Sequence, residues 1–172
     1  MFLCFFSVLS VYAQLPVVLG AVLETGTGLL SGDDYGAGIV RITPFAGVWI
    51  NGIGFVRLGA STDSHKRVSD YEEPEELKRM DISIQAGVTV LGPQYPYIAL
   101  SYVKAGSYSN VGDSKWNEFG LGIGHRFSLS SFAAIVIEAE HRWIEEHYNK
   151  ARYELVSGRR MQINFGLVAN PF

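Results

Sequence analysis

Met161-Gln-Ile-Asn-Phe-Gly-Leu-Val-Ala-Asn-Pro-Phe172 alternates at nearly every step. Met161, Ile163, Phe165, Leu167 and Ala169 share one face of an extended strand, while Gln162, Asn164, Gly166, Val168 and Asn170 share the other, because successive strand side chains point to opposite faces. One face is apolar and the other largely polar. Upstream, Ile135, Ile137 and Ala139, continuing to His141 and Trp143, alternate with Ala134, Val136, Glu138, Glu140 and Arg142. Phe119, Leu121, Ile123 and Phe127 alternate with Gly120, Gly122, Gly124 and Arg126, which implies a crowded side that needs small residues. Ile82, Ile84, Ala86, Val88 and Val90 alternate with Asp81, Ser83, Gln85, Gly87 and Thr89. These four segments predict an all-β chain.

Four further strands are expected at 17–24, 35–50, 53–60 and 97–104. Asn51-Gly52 between two β-rich runs predicts a two-residue hairpin turn, since both positions favour positive φ. Residues 91–96 and 128–131 supply two more short turns. The longer connections would be 25–34, 61–80, 105–115 and 145–159. Short turns alternating with long connections are what an up-and-down barrel displays. Within the second connection, Asp70-Tyr-Glu-Glu-Pro-Glu-Glu-Leu-Lys-Arg79 predicts a short helix, with Pro74 in its first turn and basic residues at its far end. Its carboxylates are expected to be solvated.

Met1-Phe-Leu-Cys-Phe-Phe-Ser-Val-Leu-Ser-Val-Tyr-Ala13 is an apolar run ending in Val11-x-Ala13, the small-residue pattern of a cleavable signal peptide. Residues 1–13 are therefore expected to be removed near Ala13, leaving 172 − 13 = 159 residues in a single domain, 14–172. Eight strands would then have about 20 residues each with their connections, which suits membrane strands. Cys4 lies in the leader, so the mature chain would hold no thiol. Past Ala13 no stretch reaches the length of a spanning helix, and any membrane crossing must be made by strands. A net charge of −3 gives no basic field for nucleic acid.

Periodicity leaves the direction of the faces open, because a soluble barrel also alternates, with its apolar side inward. Charges of both signs decide it. Arg41, Arg57, Arg126, Glu138, Glu140 and Arg142 fall within strands, where an inward orientation lets them pair as a structural ionic network while lipid covers the apolar stripes. Tyr102, Tyr108, Trp116, Phe119, Trp143 and Tyr148 fall near strand ends, as an aromatic girdle at the lipid boundary requires.

With its apolar leader, alternating strands and terminal Phe172, the chain resembles the OmpA/OmpX-type small outer-membrane β-barrels. The resemblance implies an eight-stranded antiparallel up-and-down transmembrane barrel in the bacterial outer membrane, surrounded by lipid and lipopolysaccharide. It also implies Phe172 as part of the signal read by the barrel-assembly machinery. Pro171 departs from the pattern, since it removes a ladder donor and bends the last residue off the strand.

An eight-stranded barrel has an interior just wide enough for side chains, so an open diffusion channel is not expected. His125, Ser128 and Glu140 are the residue types of a Ser-His-acid arrangement, yet His125 and Ser128 are three apart and point to opposite faces. His141, His147, Glu145 and Glu146 lack zinc-type spacing, and Gly120-x-Gly-x-Gly124 is strand alternation, not a phosphate loop. No catalytic, metal or cofactor site is expected. The expected role is structural or surface-interactive, in envelope integrity or adhesion, with any extracellular ligand met at the loops. The alternatives are a lipid-modifying outer-membrane enzyme, a narrow channel, and a soluble secreted ligand-binding β-barrel.

Overall fold

The computed structural model describes residues 17–30, 39–50, 53–69, 72–89, 91–92, 95–108, 112–149 and 154–169. The expected leader, the Asn51-Gly52 turn centre and Phe172 lie outside them. Every element among the described residues is a strand: β1 (Val17–Leu30), β2 (Ile39–Ile50), β3 (Gly54–Ser69), β4 (Glu72–Val88), β5 (Tyr97–Tyr108), β6 (Ser114–Ser128), β7 (Ala133–Asn149) and β8 (Glu154–Ala169). Each pairs antiparallel with its sequence neighbour, and β8 returns to β1, from Leu19↔Ala169 to Leu30↔Gly158, closing the barrel.

The end carrying the short turns is tightly bonded. The Ile53 N–H donates to the Ile50 carbonyl at 3.0 Å, and the Leu129 N–H donates to the Ala133 carbonyl at 2.9 Å. After β4 the Thr89 hydroxyl donates to the Gly92 carbonyl at 2.9 Å. Gly92 has φ of 116°, a conformation that a side chain would strain.

The opposite end corrects the sequence reading. Much of the four long connections is strand, carried on as hairpin arms. β3 and β4 stay paired as far as Ser69↔Glu72, so 72–79 is β-strand where a helix was expected. The register sets Lys66 opposite Glu76 and Arg67 opposite Glu75. Pro74 is tolerated because, among the described residues, β4 has no partner on its other edge above Lys78↔Tyr108. Strands of 12 to 17 residues exceed the roughly 9 to 11 that a membrane crossing needs, and the surplus lies at this hairpin end.

Inside and outside are inverted relative to a soluble protein. Glu24, Arg41, Asp81, Glu118, Glu138 and Arg142 are buried, whereas Ile42, Leu58, Ile84, Leu121, Ile163 and Leu167 are exposed. The apolar faces of β4, β6, β7 and β8 point outward as the alternation predicts. Burying carboxylates while exposing leucines is unfavourable in water and favourable only when lipid surrounds the barrel.

Candidate functional site

The lumen is the chemically distinctive part of the molecule, and it fills in two layers. At the turn end, Val18, Phe45, Trp49, Phe55, Tyr97 and Val136 form an apolar plug. The Trp49 and Phe55 rings lie 5.1 Å apart, and Phe55 meets Tyr97 edge-on at 4.9 Å. Glycines on β6 make room: a Cβ at Gly124 would strike the Tyr97 ring, and one at Gly120 would strike the Glu140 carboxylate and the Ser101 hydroxyl. The inward small residues of β6 are therefore spaces for ring and carboxylate.

Above the plug lies an ionic layer. The Glu138 carboxylate, 1% exposed, accepts from Arg57 Nη2 at 3.1 Å, Gln85 Nε2 at 2.9 Å, the Tyr97 hydroxyl at 2.9 Å and Asn164 Nδ2 at 3.1 Å. Glu140 accepts from the Ser101 hydroxyl, from Gln162 Nε2 at 2.8 Å and from Arg142 Nη2 at 2.9 Å. Nearer the hairpin end, Glu118, wholly buried, accepts from Arg79 Nη2 at 2.8 Å, Arg160 Nη2 at 2.6 Å and Trp116 Nε1 at 2.9 Å. Glu24 accepts from Arg41 Nε at 2.9 Å and the Thr43 hydroxyl at 2.9 Å. Asp81 joins Arg41 to Arg79, whose Nε stands at 2.9 Å. Each buried carboxylate thus has at least two donors, which offsets the cost of taking the charges out of water.

Of the residues singled out from sequence, Arg41, Arg57, Glu138, Glu140 and Arg142 meet in this layer. Arg126 stands apart at the turn-end mouth, its guanidinium 5.8 Å from the Trp49 ring, and it makes no ion pair among the described residues. Sequence reasoning missed Glu24, Arg79, Asp81 as an ion-pair member, Glu118 and Arg160. Counting back in twos from Gly120 would have placed Glu118 and Trp116 inside. Trp116 is indeed buried, stacked on His147 at 4.5 Å and facing the Arg79 guanidinium at 5.1 Å, so it does not belong to the outer girdle. Tyr102, Phe119, Trp143 and Tyr148 are exposed outward, and Tyr108 is half-buried.

His125, Ser128 and Glu140 are not brought together. His125 packs edge-on against Phe127 on the outer face at 4.3 Å, Ser128 is exposed at the strand end, and Glu140 is engaged in the lumen. His141 contacts Trp143 and Met161 on the outer wall, while His147 covers Trp116. No cluster of three or more metal-ligating side chains occurs among the described residues.

No protein-family model matches the sequence, and no curated protein matches it by sequence. Solved structures do match in fold. Neisserial surface protein A is 13% identical with a TM-score of 0.61, over 90% of this chain and 97% of that one. Ail, the attachment invasion locus protein of Yersinia pestis, is 10% identical with a TM-score of 0.50, over 90% and 99%. A major outer membrane protein from Thermus thermophilus is 12% identical with a TM-score of 0.50, over 88% and 98%. At these identities the likeness lies in the architecture, and the chain has the fold of the small eight-stranded outer-membrane β-barrels.

Proposed function

We propose that this chain is a bacterial outer-membrane protein that is anchored by its apolar belt and acts at the cell surface through its four hairpin arms, in envelope integrity or adhesion. The inversion of the molecule carries this reading: the outward face from Leu19 and Ile42 round to Ile163 and Leu167 is apolar, and the inward face is ion-paired. The packed lumen supports an anchoring role over axial transport, since the plug and the ionic layer occupy the axis. Residues 1–13 would be the export signal, cut near Ala13. Phe172 would serve delivery to the barrel-assembly machinery, after which lipid and lipopolysaccharide surround the belt. The names of two fold neighbours, a surface protein and an attachment invasion locus protein, favour contact at the hairpin end.

The test is fractionation of expressing cells, followed by electrophoresis of the membrane extract with and without boiling. Recovery in the outer membrane with a heat-modifiable band is expected. Recovery as a soluble periplasmic protein would refute the reading. Within it, Ile163→Arg places a cation on the lipid face and should cost about 2 to 4 kcal/mol near the bilayer midplane, measured by urea unfolding from lipid vesicles. An unchanged unfolding midpoint there would mean that Ile163 does not face lipid.

A further inference from the structure

Among the described residues, the junction of the barrel wall with the shortest ladder is β2–β3. β2 and β3 pair from Ile50↔Gly54 to Phe45↔Gly59 and no further, although β2 runs on to Ile39 and β3 to Ser69. The other edges of these strands are paired along that length, β2 with β1 as far as Gly26↔Ile39 and β3 with β4 as far as Ser69↔Glu72. Pro44, the first residue past the last pair, has no N–H to give, and proline sits where a ladder donor is not required. β6 and β7 also part above Glu118↔Ile144, but there Asn117 Nδ2 donates to Glu145 at 2.6 Å and Trp116 stacks on His147. Across the β2–β3 seam Arg41 reaches past β3 to Asp81 on β4.

The seam lies in the apolar belt, flanked by exposed Val40, Ile42 and Leu58. Open strand edges are not tolerated in hydrocarbon unless they border a polar, hydrated space. Such a space lies behind this one: a cavity of about 30 Å³ lined by Thr43 and Gly59 of the seam strands, by Glu24 of β1 and, across the lumen, by Gln85, Ser101 and Arg142. Arg142 is 4% exposed and binds Glu140 through Nη2, but its Nε and Nη1 have no hydrogen-bond partner. Nη1 stands 3.7 Å from Glu118 and 3.8 Å from Glu24, and Glu24 already accepts from Arg41 and Thr43. The unmet guanidinium donors favour an anion, and the lips outside favour an alkyl chain.

We propose that the β2–β3 seam is a side portal through which the anionic head of a single-chain amphiphile passes from the outer leaflet to Arg142, leaving its tail along Val40, Ile42 and Leu58. The proposal rests on the membrane reading above. It is tested by NMR of the protein in phospholipid nanodiscs, in a Cys4→Ser background, with dodecyl phosphate as the probe and inorganic phosphate as the second arm.

Alternate amides of 39–43 and 60–63 should exchange with solvent within minutes while those of Ile84 and Tyr102 stay protected. Dodecyl phosphate should shift the Arg142 Nε–H signal saturably. Arg142→Gln should weaken this binding about tenfold or more, the worth of one charged hydrogen bond. Because that change could disturb folding, a disulfide lock supplies the second arm. The register continued past Phe45↔Gly59 sets Ile42 opposite Thr62. Ile42→Cys with Thr62→Cys, oxidised, should abolish the shift and reduction should restore it, whereas Ile84→Cys with Tyr102→Cys on the paired β4–β5 wall should leave it intact. Protected seam amides, a shift that survives the lock, or an equal shift with inorganic phosphate overturns the portal. Failure to insert into bilayers at all would instead overturn the membrane reading.

Discussion

The two halves of the lumen solve one packing problem with opposite chemistry. The turn-end half is an ordinary core of Trp49, Phe55, Tyr97 and Val136, held by ring contacts and the exclusion of water. The hairpin-end half holds Glu24, Arg41, Asp81, Arg79, Glu118 and Arg160, whose burial is tolerable only because charge and donors balance within the cluster. Tyr97 joins the halves, with its ring in the plug and its hydroxyl on Glu138. An apolar half can lose a contact and relax locally, whereas an ionic half that loses one member leaves its partners buried and charged.

That contrast can be broken most forcefully at Glu118. Glu118→Ala strands Arg79 and Arg160 and should cost about 3 to 5 kcal/mol by urea unfolding in lipid vesicles. A loss below about 1 kcal/mol, the scale of an exposed ion pair, would show that water reaches the cluster freely. Phe55→Ala, in the plug, should cost about 3 kcal/mol with little dependence on salt, since packing outweighs the contact of its ring with the Arg57 guanidinium at 5.7 Å; a strong salt response would erase the distinction between the halves. At their boundary, Gly124→Ala should cost about 1 to 3 kcal/mol by pushing against the Tyr97 ring, and should alter near-ultraviolet circular dichroism. An unchanged spectrum would mean that Tyr97 does not rest on β6.

The barrel was legible where strands cross lipid and obscure where they leave it. Ile82 to Val88, Phe119 to Ile123 and Met161 to Ala169 contact lipid on one side only, so their alternation is written in the residue types. In the arms beyond, such as 61–80, the alternation of residue types disappears, and a charged strand such as 72–79 reads like a solvated helix or loop. The ionic layer was legible only in part for a different reason. Glu138, Glu140 and Arg142 stand together on one strand, but Glu118 finds Arg79 and Arg160 at separations of 39 and 42 residues, which only the closed register reveals. Arg126 has the same strand parity as the network and still falls outside it, because its level along the axis is that of the aromatic plug.

The β1–β8 ladder joins the two extremes of the folded chain: the Thr25 hydroxyl donates to the Ile163 carbonyl across 138 residues. This most distant pairing completes the ring, and contacts of such long sequence separation make for slow folding. Before closure, the outward edges of β1 and β8 are open templates for any other strand. The interval between synthesis and ring closure is therefore the period of greatest aggregation hazard for this architecture.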